Sequence, residues 1–489
     1  MELILLHLER AVWGWPLLAL ILGSGVYLTV FLRFLPIRKL GAAMRLAVAS
    51  RNGSGVTPFG ALCTTLSATI GTGNLIGVAS AIAIGGPGAL FWMEVSAVTG
   101  MAVKYAEGYL AIRYRRTLPD GTHCGGPSTY ILLGLGRKWK QLAVLFACFG
   151  AAAGLFGVGT FVQVGSISAC LEAFLSACKS DILCVTVFGR PYSVALAALG
   201  IIMTVGTALL VFRGIGSLSR ISSVLVPCMG GLYLLCCLWI LANHLPALPK
   251  VLHSIVSNAF APTAVGGGVL GTIQAGVSRG VFSNEAGLGT APIAAASADG
   301  AGPCEQGLIS MTASVFDTLI ICTMTGLVIL CSGTNVGAGG IQGVMEAFAS
   351  GLPLPQILSR GLVVLILLLF GFTTVVGWSF YGVRCLAFLT GGSQICERLY
   401  LSAYVGTVFI APYFPVQSVW MAANICNGLM AVPNLIAILL LSSHLRLDAN
   451  DIDAIMDSEH QERGCQNGNA LSGRSRNRLH QASRRSLDR

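Results

Sequence analysis

Polar residues are scarce in this chain, and those that interrupt its apolar runs mark where chemistry can occur. The run from about residue 58 to 84 places Thr64, Thr65, Ser67, Thr69, Thr72 and Asn74 around Gly71 and Gly73. Paired glycines let a helix unwind. Unwinding exposes carbonyl oxygens that hold a small cation, and it presents helix N-terminal amides that suit a carboxylate. A second run, about 264–296, carries Gly266-Gly267-Gly268, Gly271, Gln274, Gly276, Arg279-Gly280 and Ser283-Asn284-Glu285-Ala286-Gly287-Leu288-Gly289. For a single glycine, close packing of helices is the simpler reading. Two interrupted runs five spans apart point instead to an inverted-repeat carrier with a site between the halves.

Charges inside apolar runs are functional candidates because each is costly there. They are Glu94, Lys104, Glu107, Arg279, Glu285 and Asp317. Lys104 and Glu107 lie three apart on one helix, which predicts a local ion pair. Arg279 and Glu285 are expected to form a gate that pairs and unpairs, with static bracing as the alternative. Thr373 and Thr374, beside Trp378 and Tyr381, offer hydroxyl oxygens suited to sodium, or bond their own i−4 carbonyls. Gln163 contacts substrate or bridges two helices. There is no GxxxxGK[ST], so ATP-driven pumping is unsupported, and Gly71 to Gly77 has the wrong spacing for a dinucleotide loop. No nucleophile/base pair suggests an enzyme. No cofactor is expected, because the 16 cysteines form neither a CxxC nor a Cys/His cluster.

The elements that must carry these residues are membrane helices. Of 489 residues, 54% are hydrophobic and 10% charged, and many runs reach the roughly 20 residues that cross a bilayer as helix. The lack of period-2 alternation argues against an outer-membrane barrel. Eleven spans fit: about 13–33, 58–84, 88–112, 141–172, 192–212, 219–242, 264–296, 307–332, 361–388, 399–414 and 418–442. The expected class is an all-α polytopic membrane protein with one transporter domain, 1–445. Within it, 57–245 and 262–443 form two inverted five-span repeats, and span 1 is peripheral. Residues 446–489 form a polar, basic tail that reads as disordered and cytoplasmic.

Basic residues cluster in alternate connections, such as Arg38, Lys39 and Arg45 after span 1 and Arg113, Arg115, Arg116, Arg137, Lys138 and Lys140 after span 3. This bias predicts an outward N-terminus and a cytoplasmic C-terminus. The net charge of +10 records that bias, and nothing suggests nucleic acid as a partner. Cys178 and Cys184 flank an outward loop where a disulfide is one option.

Several motifs in order resemble the alanine or glycine:cation symporter family over roughly residues 10–445. They are Pro87-Gly88-Ala89-Leu90-Phe91-Trp92-Met93, Gly100-Met101, Lys104-Tyr105-Ala106-Glu107, Gly71-Thr72-Gly73-Asn74, Phe282-Ser283-Asn284-Glu285-Ala286-Gly287, Asp317-Thr318, and Leu429-Met430 with Pro433-Asn434. The resemblance implies a leucine-transporter-like fold with one added helix, and symport of alanine or glycine, D or L, with sodium. It implies that Thr72 and Gly73 meet the substrate carboxylate while carbonyls near Gly276 and Gly280 accept its ammonium. It further implies a cation at Asn74, and a second sodium site from Ser67 and Ile70 carbonyls with Thr373 and Thr374. Gly165, Val383, Asn424 and Glu94 depart from the family pattern and bear on the substrate.

The resulting expectation is a sodium-coupled carrier of small neutral amino acids, working by alternating access in a prokaryotic inner membrane. Thr72, Gly73, Gln163, Gly276, Gly280 and Trp378 would contact substrate, and Trp378 would limit its size. The rivals are a proton-coupled carrier of the same fold using Glu94 or Glu285, and a non-transporting membrane receptor.

Overall fold

The computed structural model describes residues 2–48, 55–117, 122–178, 184–187, 190–261, 268–334, 340–414 and 416–445. The tail from 446 onward and the Cys184 side chain lie outside the described residues.

The described chain is overwhelmingly helical, with two short hairpins, Arg116–Thr117 with His123–Cys124 and Cys184–Val187 with Arg190–Ser193. The helix Pro58–Thr69 begins with Thr57, whose hydroxyl accepts from Gly60 N (3.0 Å), followed by a proline in the first turn. That start is favourable because Thr fills an orphan amide and proline lacks one. At Ile70 the backbone turns to ψ 94°, one 3-10 turn covers Thr72–Asn74, and helix resumes at Ile76–Gly85. The two helical parts are bent by 63°. The first expected interruption is therefore present where the glycines put it.

The second lies at the far end of the expected run, in its Glu285-Ala286-Gly287-Leu288-Gly289 stretch. Gly268–Asn284 runs as one helix through Gly271, Gly276 and Gly280, and unwinds only at Glu285 before the short helix Ala291–Ala295. Glu285, Gly287 and Gly289 have φ of 54°, 86° and 82°, left-handed backbone that two glycines tolerate and a glutamate adopts at a cost. Gly276 and Gly280 serve packing instead. A Cβ on Gly276 would meet Ala89 O at 2.3 Å, and one on Gly280 would meet Ser96 Oγ at 2.4 Å. The helix Gly88–Arg113 thus lies directly against Gly268–Asn284, and its other face packs on Pro303–Ser314.

Span 4 also differs from the expectation of one continuous helix. It is two, Lys140–Phe156 and Phe161–Ala177, separated at Gly157. The exposed carbonyls find side-chain donors: Thr160 Oγ1 donates to Leu155 O (2.7 Å), and the Tyr404 hydroxyl donates to Gly159 O (2.6 Å).

Among the described residues, seven helices are long and apolar enough to cross a bilayer, or eight when the bent pair counts as one span. The count of eleven is thus not reached by length and composition. The difference lies in Gly88–Arg113, which carries Glu94, Lys104 and Glu107, and in Gly268–Asn284 and Gln394–Ile410, each of 17 residues. All three occupy expected spans. Before span 1, a separate helix Glu2–Val12 packs against Val416–Leu440.

The close approach at Gly276 makes a direct prediction. Gly276→Val forces Ala89 and its helix aside, and overpacking of this kind costs about 1–3 kcal/mol or more. Gly271→Ala meets nothing within 4 Å and removes a helix-weakening glycine. Thermal unfolding in detergent is expected to show a clear drop for the first and no drop for the second.

Candidate functional site

The site is assembled where the two interruptions meet, and Asn74 joins them. Its Oδ1 accepts from Gly71 N (2.9 Å) within the broken segment. Its Nδ2 donates to Asp317 Oδ1 (2.7 Å) and to Ser283 Oγ (3.0 Å). Because Gly71 N is a donor, the orientation of the amide follows from its partners. Asp317 is completed by Ser283 Oγ on Oδ2 (2.7 Å) and by Thr318 Oγ1 (2.8 Å). It sits on a π-helical stretch, Val315–Cys322, the kind of irregularity that often marks a functional position. All four side chains are buried. A carboxylate and two hydroxyls thus converge, oxygens of the kind a hard cation takes, with Asn74 entering as a donor that orients them.

On the other side of the break, Thr72 N and Thr72 Oγ1 both donate to Gln163 Oε1, at 3.0 and 2.9 Å. One oxygen therefore collects two donors from the unwound turn, as a carboxylate oxygen would. Gly73 is covered by the Phe282 ring, 3.3 Å from where its Cβ would stand. Phe282 in turn packs on Trp420, with ring centroids 4.8 Å apart.

The second expected sodium group is partly brought together. Thr374 Oγ1 approaches Ile70 O at 3.2 Å and Phe370 O at 3.0 Å, while Thr373 Oγ1 bonds Phe370 O at 2.9 Å. Ser67 Oγ turns back to Thr64 O (2.8 Å). A Cβ on Gly71 would meet Thr374 Oγ1 at 2.7 Å and Gln163 Oε1 at 3.0 Å, so Gly71 lies between the two groups.

Gly276 and Gly280 lie in the unbroken part of their helix, where carbonyls are engaged by amides four residues on. The carbonyls that a helix end leaves over belong to its last turn, and of these Val281 O is already taken by Glu285 N (2.9 Å). The ammonium contacts implied for Gly276 and Gly280 are thus one turn too early for a free carbonyl.

The expected gate pair is not formed. Glu285 is buried and accepts from Trp378 Nε1 (3.0 Å) and from Thr290 Oγ1. Arg279 points elsewhere, with its guanidinium carbon 5.5 Å from the Trp420 ring centroid. It lines a cavity of about 110 Å³ with Glu9, Arg10, Trp13, Gln274, Ser278 and Asn424. On a helix the two residues are six apart, and the left-handed turn at Glu285 swings its side chain toward Trp378. The Lys104–Glu107 pair is not made either. Glu107 Oε1 accepts from Gly289 N (3.1 Å) and Asn434 Nδ2 (2.8 Å), while Lys104 Nζ has no hydrogen-bond partner among the described residues. Tertiary partners in the unwound loop outcompete the local one.

Residues that sequence reading left without a role complete the site. Asn434 also donates to Gly287 O (2.9 Å) and accepts from the Tyr130 hydroxyl, so the whole 285–290 loop is held by Glu107, Asn434 and Trp378. Asp317 was conspicuous as an intramembrane charge, but besides its neighbour Thr318 its partners are 34 and 243 residues away in sequence.

These features define a helical secondary transporter whose site lies between two interrupted membrane helices. The chain belongs to the sodium:alanine symporter family, whose family model matches residues 1–463. It is 42% identical over 447 residues to an uncharacterized transporter of Haemophilus influenzae, covering 90% of this chain and 93% of that one. It is 40% identical over 461 residues to the sodium/alanine symporter AgcS of Methanococcus maripaludis, covering 92% and 96%. It is 34% identical to the probable sodium/glutamine symporter GlnT of Bacillus subtilis, covering 88% and 86%. Among solved structures it resembles MhsT in complex with L-phenylalanine, with TM-score 0.50, 14% identity and coverage of 80% and 99%. It also resembles Mhp1, a nucleobase-cation-symport-1 family transporter in a closed conformation, with TM-score 0.51, 14% identity and coverage of 81% of each chain. The fold is therefore the leucine-transporter type expected, and the protein is a multi-pass membrane transporter of an amino-acid symporter family, not an enzyme.

Replacing Trp378 by Phe removes the indole donor and leaves Glu285 Oε1 buried without it. Such a loss costs roughly 1–3 kcal/mol. Trp378→Phe is expected to lower the thermal midpoint and reduce substrate uptake by about tenfold or more, whereas Trp239→Phe, at a half-exposed position, changes neither.

Proposed function

We propose that this protein imports small neutral amino acids, alanine or glycine, coupled to sodium by alternating access. The observation that carries the reading is the Thr72 amide and hydroxyl converging on one acceptor oxygen, Gln163 Oε1. A substrate carboxylate that displaces this oxygen would gain the same two donors plus the favourable end of the Ile76–Gly85 helix. Gln163 then turns from a stand-in into a substrate contact. Phe282 packed over Gly73 crowds the turn, which favours alanine and glycine over larger substrates.

The cation half rests on two oxygen groups. Asp317 with Ser283, Thr318 and Asn74 supplies the one carboxylate, and Ile70 O with Thr374, Thr373 and Ser67 supplies neutral oxygens. Both touch the Gly71–Asn74 turn, so a cation that orders the turn also orders the carboxylate site. By linkage the two ligands then favour each other equally. The relative named a sodium/alanine symporter is in keeping with this reading. The repeats 57–245 and 262–443 would rock against each other, with the N-terminus outside, the C-terminus in the cytoplasm and the chain in a prokaryotic inner membrane. Proton coupling is the second reading, favoured by the burial of Glu285 and Asp317.

Uptake of labelled alanine into proteoliposomes distinguishes these. An inward sodium gradient is expected to drive accumulation that potassium does not, with glycine competing and leucine not competing. Asn74→Ala is expected to cut uptake by about tenfold or more, in line with loss of a buried charge-assisted hydrogen bond. Accumulation driven equally well by a proton gradient without sodium contradicts the sodium assignment, and unimpaired uptake by Asn74→Ala contradicts the site.

A further inference from the structure

Lys104 is a buried charge that neither the substrate site nor the cation groups use. It is 0% exposed, and Nζ has no hydrogen-bond partner among the described residues. A buried ammonium without a partner is costly, so its presence here calls for a function. Its position is fixed by the helix it stands on. Gly100 touches the unwound loop, since a Cβ there would meet Ala286 Cβ at 2.9 Å, and Glu107 bonds Gly289 N in the same loop. Residues 100, 104 and 107 share one helix face, so Lys104 lies over the loop that begins at Glu285.

Three buried carboxylates stand around that loop: Glu107 bonds Gly289 N within it, Glu285 begins it, and Asp317 bonds Ser283 two residues before it. Each is fixed by neutral donors. Glu107 has Gly289 N and Asn434, Glu285 has Trp378 and Thr290, and Asp317 has Asn74, Ser283 and Thr318. Glu107 Oε2 has no hydrogen-bond partner among the described residues. Neutral hydrogen bonds orient these acids but do not cancel their charge. A carrier that brings in a cation must also return without it, and at that stage these acids lose the charge that the cation supplied.

We propose that Lys104 is the tethered counter-cation of this carboxylate group, competing with the transported cation when it binds and replacing it when the empty carrier returns. The absence of a fixed partner is what suits it to the task. A locked ion pair would hold the ammonium to one acid, whereas an unpaired one on a flexible stem can side with whichever carboxylate the cation has left. This positioning role rests on the symport reading above, with Lys104 touching neither substrate nor cation.

The test separates net uptake from exchange in proteoliposomes. Exchange of internal for external alanine, with sodium on both sides, does not require the empty carrier to return; net uptake does. Lys104→Gln is expected to keep exchange within about twofold of wild type, to lower net uptake about tenfold, and to shift half-saturating sodium about tenfold lower, the order expected from removing one nearby charge. Lys104→Arg is expected to retain net uptake. Net uptake and exchange falling together, or neither falling, overturns the proposal by reducing Lys104 to a packing residue. Wild-type uptake indifferent to sodium would refute the sodium reading, while the ratio of net uptake to exchange would still decide the role of Lys104. Should Lys104→Gln fail to fold, the double variant with Glu107→Gln removes one charge of each sign and preserves an acceptor for Gly289 N. Recovery of folded protein is expected, and failure of the double variant as well overturns the counter-charge role.

Discussion

The structure depends on one side chain that satisfies backbone and charge at once. Asn74 accepts from Gly71 N and so stabilises a backbone turn that would otherwise expose an amide in an apolar interior. The same carboxamide donates to Asp317 and Ser283, and thereby fastens the broken segment to the second interrupted helix and to the π-helical stretch. Without it, the unwound turn would have unmet donors and Asp317 would lose a charge-assisted bond. Everything proposed about substrate and cation follows from this joint, because it makes the two binding groups share a single piece of backbone.

Much of that joint was legible in the sequence. Glycines flanked by hydroxyls and an asparagine inside an apolar run have no role in an ordinary membrane helix, and the break falls at that place. Gln163 and Thr374 were also visible as polar residues at depth, and both reach the Gly71–Asn74 turn. The helical class followed from apolar run lengths, although the charges of Gly88–Arg113 and the brevity of two helices keep the count by length and composition below eleven.

What misled was the assumption that sequence neighbours are partners. Gly276 and Gly280 belong to the interrupted run but are contact points where two backbones approach, and the break occurs further along, from Glu285 through Gly287 and Gly289. Arg279 and Glu285 suggested a gate, and Lys104 and Glu107 a pair. Left-handed backbone at Glu285 and the amide of Gly289 redirect both acids to partners far away in the chain. Such partners are set by how helices cross, which periodicity does not encode.

Coupling in this account is a property of shared backbone, with the Gly71–Asn74 turn ordered by cation on one side and carboxylate on the other. The most direct test is equilibrium binding of alanine to the purified protein across a sodium series, paired with sodium binding across an alanine series. The account predicts that sodium tightens alanine binding and that alanine tightens sodium binding by the same factor. Alanine binding that does not change between sodium-free buffer and saturating sodium would contradict it.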